Sequence, residues 1–410
     1  MKILKYLLAL LFLNTCIHAQ GGSVYSRFGV GELYFNSSAK KNSIGELGTS
    51  LFDNSYLSSW NPASWSGLQF TRFAASAEYN GLGISGDAGS SYYSGIEFTG
   101  FMFAFPLSIK NGLTLSGGLT PYAKSQYEVI ENYESGSEYH FEFQGSGSLS
   151  KLYLGASYRL PFDLSLGLTF NYYLGNYKYY SRLEYLNSSY SNSEFENNLR
   201  MRGVGLSFGL ISPDIAKLTG GQKLKDFRLG LLVDLPATLD GDSLLTTVGS
   251  IENEAKDVEG LDVDLPMRFA AGLSFTYDNN YQFIFDYLYQ PWSDYKFNGY
   301  HDGRITDLHK FSVGVASVKT AEMDESFWEH INLRGGLSYE LMQYDIAGER
   351  LKEFSVYGGF SIPLGRENGI DISLQYGMRG KKENNLLEEK IFKIGATLSF
   401  AELWFVTPGR

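Results

Sequence analysis

The sequence predicts an all-β fold, a fourteen-stranded antiparallel transmembrane β-barrel with an N-terminal luminal plug. Three observations carry this: an export signal at the N terminus, the absence of cysteine and of any long apolar run beyond it, and hydrophobicity that recurs at every second residue over long segments. Composition agrees. Of the 410 residues 43% are hydrophobic and 16% aromatic but only 19% charged, with 30 Tyr and 29 Phe, which excludes a disordered chain and supplies amphipathic rings for a membrane boundary. Acidic residues outnumber basic ones, 45 to 34, so the net charge of −11 argues against nucleic acid as a partner.

Residues 1–19 read as a signal peptide: Lys2 and Lys5 are its positive region, Leu7 to Leu13 its apolar run, and Ala19 the small residue before the cleaved bond. The single cysteine, Cys16, lies inside it. Leu13-Asn14-Thr15-Cys16 can also be read as a lipoprotein box, although Thr15 fits poorly before the cysteine. Either way no disulfide staples the exported chain, so a core or a membrane must hold it.

Beyond Ala19 no apolar run approaches the roughly 18 residues of a membrane helix. Instead Ile370, Ile372, Leu374, Tyr376 and Met378 alternate with Asp371, Ser373, Gln375, Gly377 and Arg379, and Phe392 to Phe400 repeats the pattern. One face is oily and the other polar. Such segments run longer than the five or six residues of a soluble strand and carry charges mid-strand on the polar face, as a wet lumen allows. Strands are expected near 68–80, 94–107, 112–130, 138–160, 162–186, 195–212, 225–238, 264–278, 281–296, 304–318, 330–344, 350–364, 369–381 and 387–400. This even count closes a barrel over residues 68–400 with both ends on one side, leaving a tail, 401–410.

Short connections such as Leu160 to Asp163 and Tyr277 to Asn280 suit periplasmic turns; the polar stretch Asn187 to Glu194 and the acid-rich stretch Asp240 to Gly260 are expected to be outer loops. Asp214 to Lys225 is too long for a tight turn on its side. Residues 20–67 hold non-alternating, glycine-rich stretches such as Phe28-Gly29-Val30-Gly31, whose irregular backbone cannot face lipid. A lumen this wide has room for them as a plug.

At Asn61-Pro62-Ala63, followed by Ser64-Trp65-Ser66-Gly67-Leu68, the chain resembles the long-chain fatty-acid outer-membrane transporter family (FadL type). The motif stands where that family's plug hands over to its first strand, and Asp264-Leu265-Pro266 and Pro291-Trp292-Ser293 are similar to its later hairpins. The resemblance implies passive uptake of a hydrophobic small molecule, such as a long-chain fatty acid, with lateral release into the bilayer where the third strand kinks. Asn61, Pro62 and Ala63 would hold the plug against that kink. Gly117, Gly118 and Pro121 in the third strand weaken its ladder or remove a donor, so they allow either an opening or a bend easing curvature. Without the resemblance, Asn61-Pro62 reads as a turn that starts a strand.

Ligand contacts are expected from basic side chains of the polar face, Lys151, Arg159 and Arg334, with Arg379 and Lys393 as further candidates; Asp286, Glu340 and Asp371 share that face and can pair them. Phe101 and Phe103, with Phe105, interrupt the alternation of the second strand, either as an apolar lumen wall or as local burial against the plug, with Gly100, Met102 and Ala104 turned to lipid. The short polar stretch at Asn187 departs from the hydrophobic capture loops of the fatty-acid transporters, and the tail replaces a terminal aromatic.

No catalytic residue, metal ligand or cofactor is expected. His140, His301, His309 and His330 are scattered, and His301-Asp302 reads as a solvated pair. The chain is expected to be a monomer of the bacterial outer membrane, crossing it many times, with lipids and a hydrophobic ligand as partners and the barrel-assembly machinery during biogenesis. The same fold without transport, as a structural or secretion-associated barrel, is the alternative.

Overall fold

The computed structural model describes residues 22–54, 56–87, 89–133, 139–185, 192–219, 223–248, 253–318, 331–364, 367–382 and 386–402. The expected signal peptide, His330, most of the stretch after Asn187 and the tail beyond Glu402 lie outside them. The strands are β1 (Thr71–Gly86), β2 (Gly89–Ser108), β3 (Leu113–Tyr133), β4 (Tyr139–Arg159), β5 (Ser165–Tyr185), β6 (Ser193–Ile211), β7 (Leu224–Asp234 continued by Ala237–Val248), β8 (Asn253–Leu265 continued by Arg268–Tyr277), β9 (Tyr281–Gln290), β10 (Leu308–Ser317), β11 (Asn332–Ile346), β12 (Glu349–Pro363), β13 (Gly369–Arg379) and β14 (Glu388–Glu402). Each pairs antiparallel with its sequence neighbours, and β14 pairs with β1, from Glu388↔Ser85 to Glu402↔Thr71, closing a barrel of fourteen strands. β7 and β8 are interrupted beside Pro236 and Pro266, which have no N–H for a ladder.

The alternation has the expected sense. Leu154, Phe170, Leu231, Phe285, Val313, Leu337, Val356 and Leu374 are exposed on the outside, whereas Asp286, Lys310, Arg334, Glu340, Asp371 and Arg379 are buried on the inside. An outward apolar band with a polar interior is the arrangement of an outer-membrane barrel, and this protein spans that membrane with its strands.

The acid-rich stretch from Asp240 to Gly260 corrects the expectation of a loop, since most of it is paired strand. Thr238 to Val248 runs against β6 on one side and against the upper part of β8 on the other. Here the alternation is inverted. Leu199, Met201, Leu239 and Val263 are buried inside with Trp292, Tyr295 and Ile305 of the β9–β10 connection. Arg200, Arg202, Asp240 and Asp242 point out, directly opposite one another. Above the lipid the wall is bathed in water on its outer face, so it packs like a soluble sheet.

The described residues of 22–68 form no long element of their own, only a two-residue strand at Glu32–Leu33, a helical turn at Ala39–Asn42 and 3-10 turns at Val24–Arg27 and Pro62–Gly67. Most of their side chains are buried, and their contacts fall on the polar face of strands around the circumference. The Ala39 amide donates to Thr397 Oγ1 of β14 (2.9 Å), and Asp286 of β9 accepts from the Gly48 (2.8 Å) and Thr49 (2.7 Å) amides. Glu46 pairs with Lys310 of β10, and Ser43 Oγ accepts from Arg334 Nε of β11 (2.9 Å).

Candidate functional site

Two places stand out: the seat of the Asn61 motif and the seam between β2 and β3.

Asn61 caps the 3-10 turn Pro62–Gly67, its Oδ1 accepting from the Ala63 amide at 3.0 Å while Pro62 fills the first position, where a missing N–H costs nothing. Its Nδ2 donates to the carbonyls of Thr49 (2.7 Å), Leu231 (3.2 Å) and Leu210 (3.4 Å), and the residue has no exposed surface. The anchor is therefore on β6 and β7, which corrects the expectation that it sits against the third strand. A Cβ on Gly209 of β6 would lie 2.0 Å from Asn61 Oδ1, so only glycine leaves room there. The rest of the motif reaches β4, where Trp65 stacks on Tyr153 with ring centres 5.9 Å apart and its Nε1 donates to the Ser58 carbonyl (2.6 Å).

Gly209 belongs to a set. Gly167 of β5, Gly230 of β7, Gly314 of β10, Gly336 of β11 and Gly359 of β12 all lie where a Cβ would strike residues 43–63 at 2.3 to 2.6 Å. Missing side chains on six strands thus make a track for the N-terminal backbone. Sequence reading missed this track, although its signal was present as glycines at polar-face positions of successive strands.

The expected ligand contacts resolve differently. Arg334 spends its guanidinium on Ser43, on Ser361 (2.7 Å) and on Asp371 (2.9 Å). Arg159 donates to the Ser66 carbonyl (2.5 Å) beside the Phe52 ring. Both fasten the N-terminal segment. Arg379 is buried in a carboxylate cluster, donating to Glu353 (2.9 and 3.0 Å) and Glu389 (3.0 Å) and pairing with Glu32; Lys393 faces Glu78 at 3.6 Å. Next to this cluster the Tyr25 hydroxyl donates to the Leu387 carbonyl and accepts from its amide, both at 2.8 Å. Burial pushes this phenol up to about 12, so it stays protonated and keeps both bonds. Lys151 points inward from β4 and makes no hydrogen bond or ion pair among the described residues.

Phe101 and Phe103 correct another expectation. Met102 and Ala104 are fully buried in an inner cluster with Leu57, Trp65 and Tyr153, while Phe101 is exposed and stands in an outer row with Phe103 and Phe105. The rings face lipid. A bulge at Thr99, where pairing with β1 shifts between Ser76↔Gly100 and Ala77↔Phe98, resets the alternation, so that Phe98 and Phe101 both point outward.

The seam begins just there. β2 and β3 pair over seven positions, from Ser108↔Leu113 to Phe101↔Leu119, and no further. Above them β2 pairs, among the described residues, with β1 alone, and β3 continues along β4 with a shift between Pro121 and Ala123. At Gly118 a Cβ would lie 2.4 Å from the Phe101 carbonyl, and Pro121, just beyond the last pair Phe101↔Leu119, has no N–H to donate. What takes the edge of β3 is the N-terminal segment. Glu32 and Leu33 pair with Lys124 and Ala123, the Tyr34 amide donates to the Tyr122 carbonyl (2.9 Å), and Ser26 exchanges bonds with Ser125 and Gln126. Across the opening Glu97 of β2 contacts Lys124 and accepts from the Tyr34 hydroxyl (2.7 Å). A cavity of about 320 Å³ lies there, lined by Glu32, Tyr34, Glu97, Lys124, Lys393 and Ile96 among others.

The chain matches the BamG family over residues 1–408 and belongs to it. No curated protein matches it. Among solved structures it resembles the toluene transporter TodX of Pseudomonas putida (16% identity, 92% of this chain and 100% of that one, TM-score 0.62) and the toluene transporter TbuX of Ralstonia pickettii (12%, 90% and 99%, 0.59). A FadL homologue of Pseudomonas aeruginosa is similar at 10% identity, with 90% and 99% coverage and a TM-score of 0.59. At these identities the likeness shows the FadL-type barrel fold.

Proposed function

We propose that this BamG-family barrel works through its wall, as a non-transporting, non-enzymatic outer-membrane component that assists the assembly or export of other outer-membrane polypeptides, with residues 22–68 acting as a permanent plug. One observation carries the reading: the N-terminal segment is tied to the wall by buried and half-buried polar contacts on β3, β6, β7, β9, β10, β11, β13 and β14, several of them charged. Releasing such a segment leaves buried charges unpaired, which suits a fixed part better than a gate. The family's name, which associates it with the barrel-assembly machinery, supports the same reading. In this orientation the end bearing both termini faces the periplasm, and the extended end of β3 to β8 faces outside.

A second reading is passive uptake of a hydrophobic small molecule with lateral release. The open seam and the toluene transporters of the same fold favour it. Glu32, Glu97, Lys124 and Lys393 around the opening weigh against it, because an apolar cargo leaving there would meet charges.

Depletion of the protein in its native cells separates the two. The first reading expects the folded, heat-modifiable fraction of other outer-membrane barrels to fall several-fold while uptake of labelled toluene and palmitate is unchanged. Lost uptake with normal barrel levels supports the second reading and overturns the first.

A further inference from the structure

We infer that the open edge of β2, from Gly89 to Gly100, is a docking site for an extended segment of another outer-membrane polypeptide, which adds to the sheet as an extra strand. This deepens the reading of the wall as the working surface and rests on it. Along that stretch β2 has β1 on one side and no strand on the other among the described residues. Edge amides and carbonyls in a row are a template for another chain, and at membrane depth they leave polar groups without partners. Part of this edge is at that depth. Ile96 lies opposite Tyr79, whose ring packs against Phe392 near the upper end of the apolar band, and Phe98 lies one outward position lower.

The neighbouring edge shows that the need is met where a strand is at hand, since β3 receives Glu32–Leu33 from the N-terminal segment. Among the described residues β2 receives no strand there: Tyr34 and Lys124 reach Glu97, and the Ser37 carbonyl accepts from Thr99 Oγ1 (3.3 Å). An acyl chain or a hydrocarbon has no donors or acceptors to offer; a polypeptide has both at the right repeat.

Side chains specify the occupant further. On the outer face Ile96 and Phe98 are 81% and 61% exposed, the former far more than most outward residues of the band. On the inner face Glu97 is paired with Lys124, and Glu78 with Lys393, so the rim carries little unbalanced charge. The fitting segment alternates, with apolar residues outward beside Ile96 and Phe98 and uncharged polar residues inward.

The test places a benzophenone amino acid at Ile96 or Phe98, and as controls at Phe354 or Val356 of the fully paired β12, in the full-length protein in native cells, and maps the photo-adducts by mass spectrometry. Strand addition predicts that the Ile96 and Phe98 adducts fall on one segment of a different polypeptide, with attachment points two residues apart, while the controls label lipid. Adducts on lipid alone, on a second copy of this chain, or on polypeptide without the two-residue register overturn the inference. If depletion still lowers other barrels, such a failure removes this edge and leaves the proposed function standing; if depletion does nothing, that function itself fails.

Discussion

Two seams of one wall differ sharply. Between β14 and β1 the ladder runs from Glu388↔Ser85 to Glu402↔Thr71 without a shift, although it joins the two ends of the barrel and so closes the longest loop in the chain. Between β2 and β3, neighbours in sequence, pairing stops after seven positions, with a shift at Pro106. Proximity in sequence therefore does not decide where the wall is continuous; local chemistry does. Gly100, Gly118 and Pro121 weaken one seam, and the N-terminal segment then takes up the edge of β3. The other seam is bridged on its inner face by the Ser76 and Thr397 hydroxyls (2.8 Å), and its β14 side is braced from β13 by Arg379 among Glu353, Glu389 and Glu32, and by Thr397 on the Ala39 amide.

This contrast can be broken most forcefully at the continuous side. Arg379→Met strands the buried carboxylates of Glu353 and Glu389 and is expected to cost about 3–5 kcal/mol, read as a large drop in the urea midpoint of heat-modifiable migration. A wild-type midpoint would refute the role given to the cluster. At the open seam, Gly118→Val forces a side chain against the Phe101 carbonyl and is expected to cost about 1–3 kcal/mol, with the loss concentrated in β2 and β3 when protection is read strand by strand. Asn61→Ala removes one cap and three donated bonds; a loss of about 1–2 kcal/mol is expected, together with faster proteolysis between residues 43 and 63. Resistance equal to wild type would show that the motif is not the anchor. Smallest is Glu97→Gln, a partly exposed pair across the opening, worth no more than about 1 kcal/mol. It should leave global stability in place while loosening Tyr34 and Lys124, visible as a change in their side-chain labelling.

Much of the fold was legible because lipid enforces it. A strand crossing hydrocarbon must be apolar at every second position for about nine to eleven residues, which is why all fourteen strands, and the ends of most within a few residues, could be read from Ile370 to Met378 and its counterparts. Where water replaces lipid the rule reverses, and the acids of the stretch from Asp240 to Gly260 disguised paired strand as a loop. Phe101 and Phe103 misled for another reason, since one extra residue at Thr99 flips the register and composition does not reveal a bulge. The site was legible in its residues more than in its geometry. Gly117, Gly118 and Pro121 lie where the β2–β3 ladder stops, and Asn61 caps a turn, but its partners Leu210 and Leu231 lie 149 and 170 residues away, where only a packed structure can place them. Arg159 and Arg334 looked like ligand contacts because a basic residue in a lumen has the same signature whether it meets cargo or a neighbouring carbonyl.

Backbone amide exchange on the purified barrel in detergent tests the central contrast most directly. The account predicts that within Gly89–Thr99 the alternate amides facing the opening exchange within minutes, while those of Glu388–Glu402 stay protected for hours. Uniform protection of Gly89–Thr99, matching β14, would mean that β2 and β3 are joined along their whole length and would contradict it.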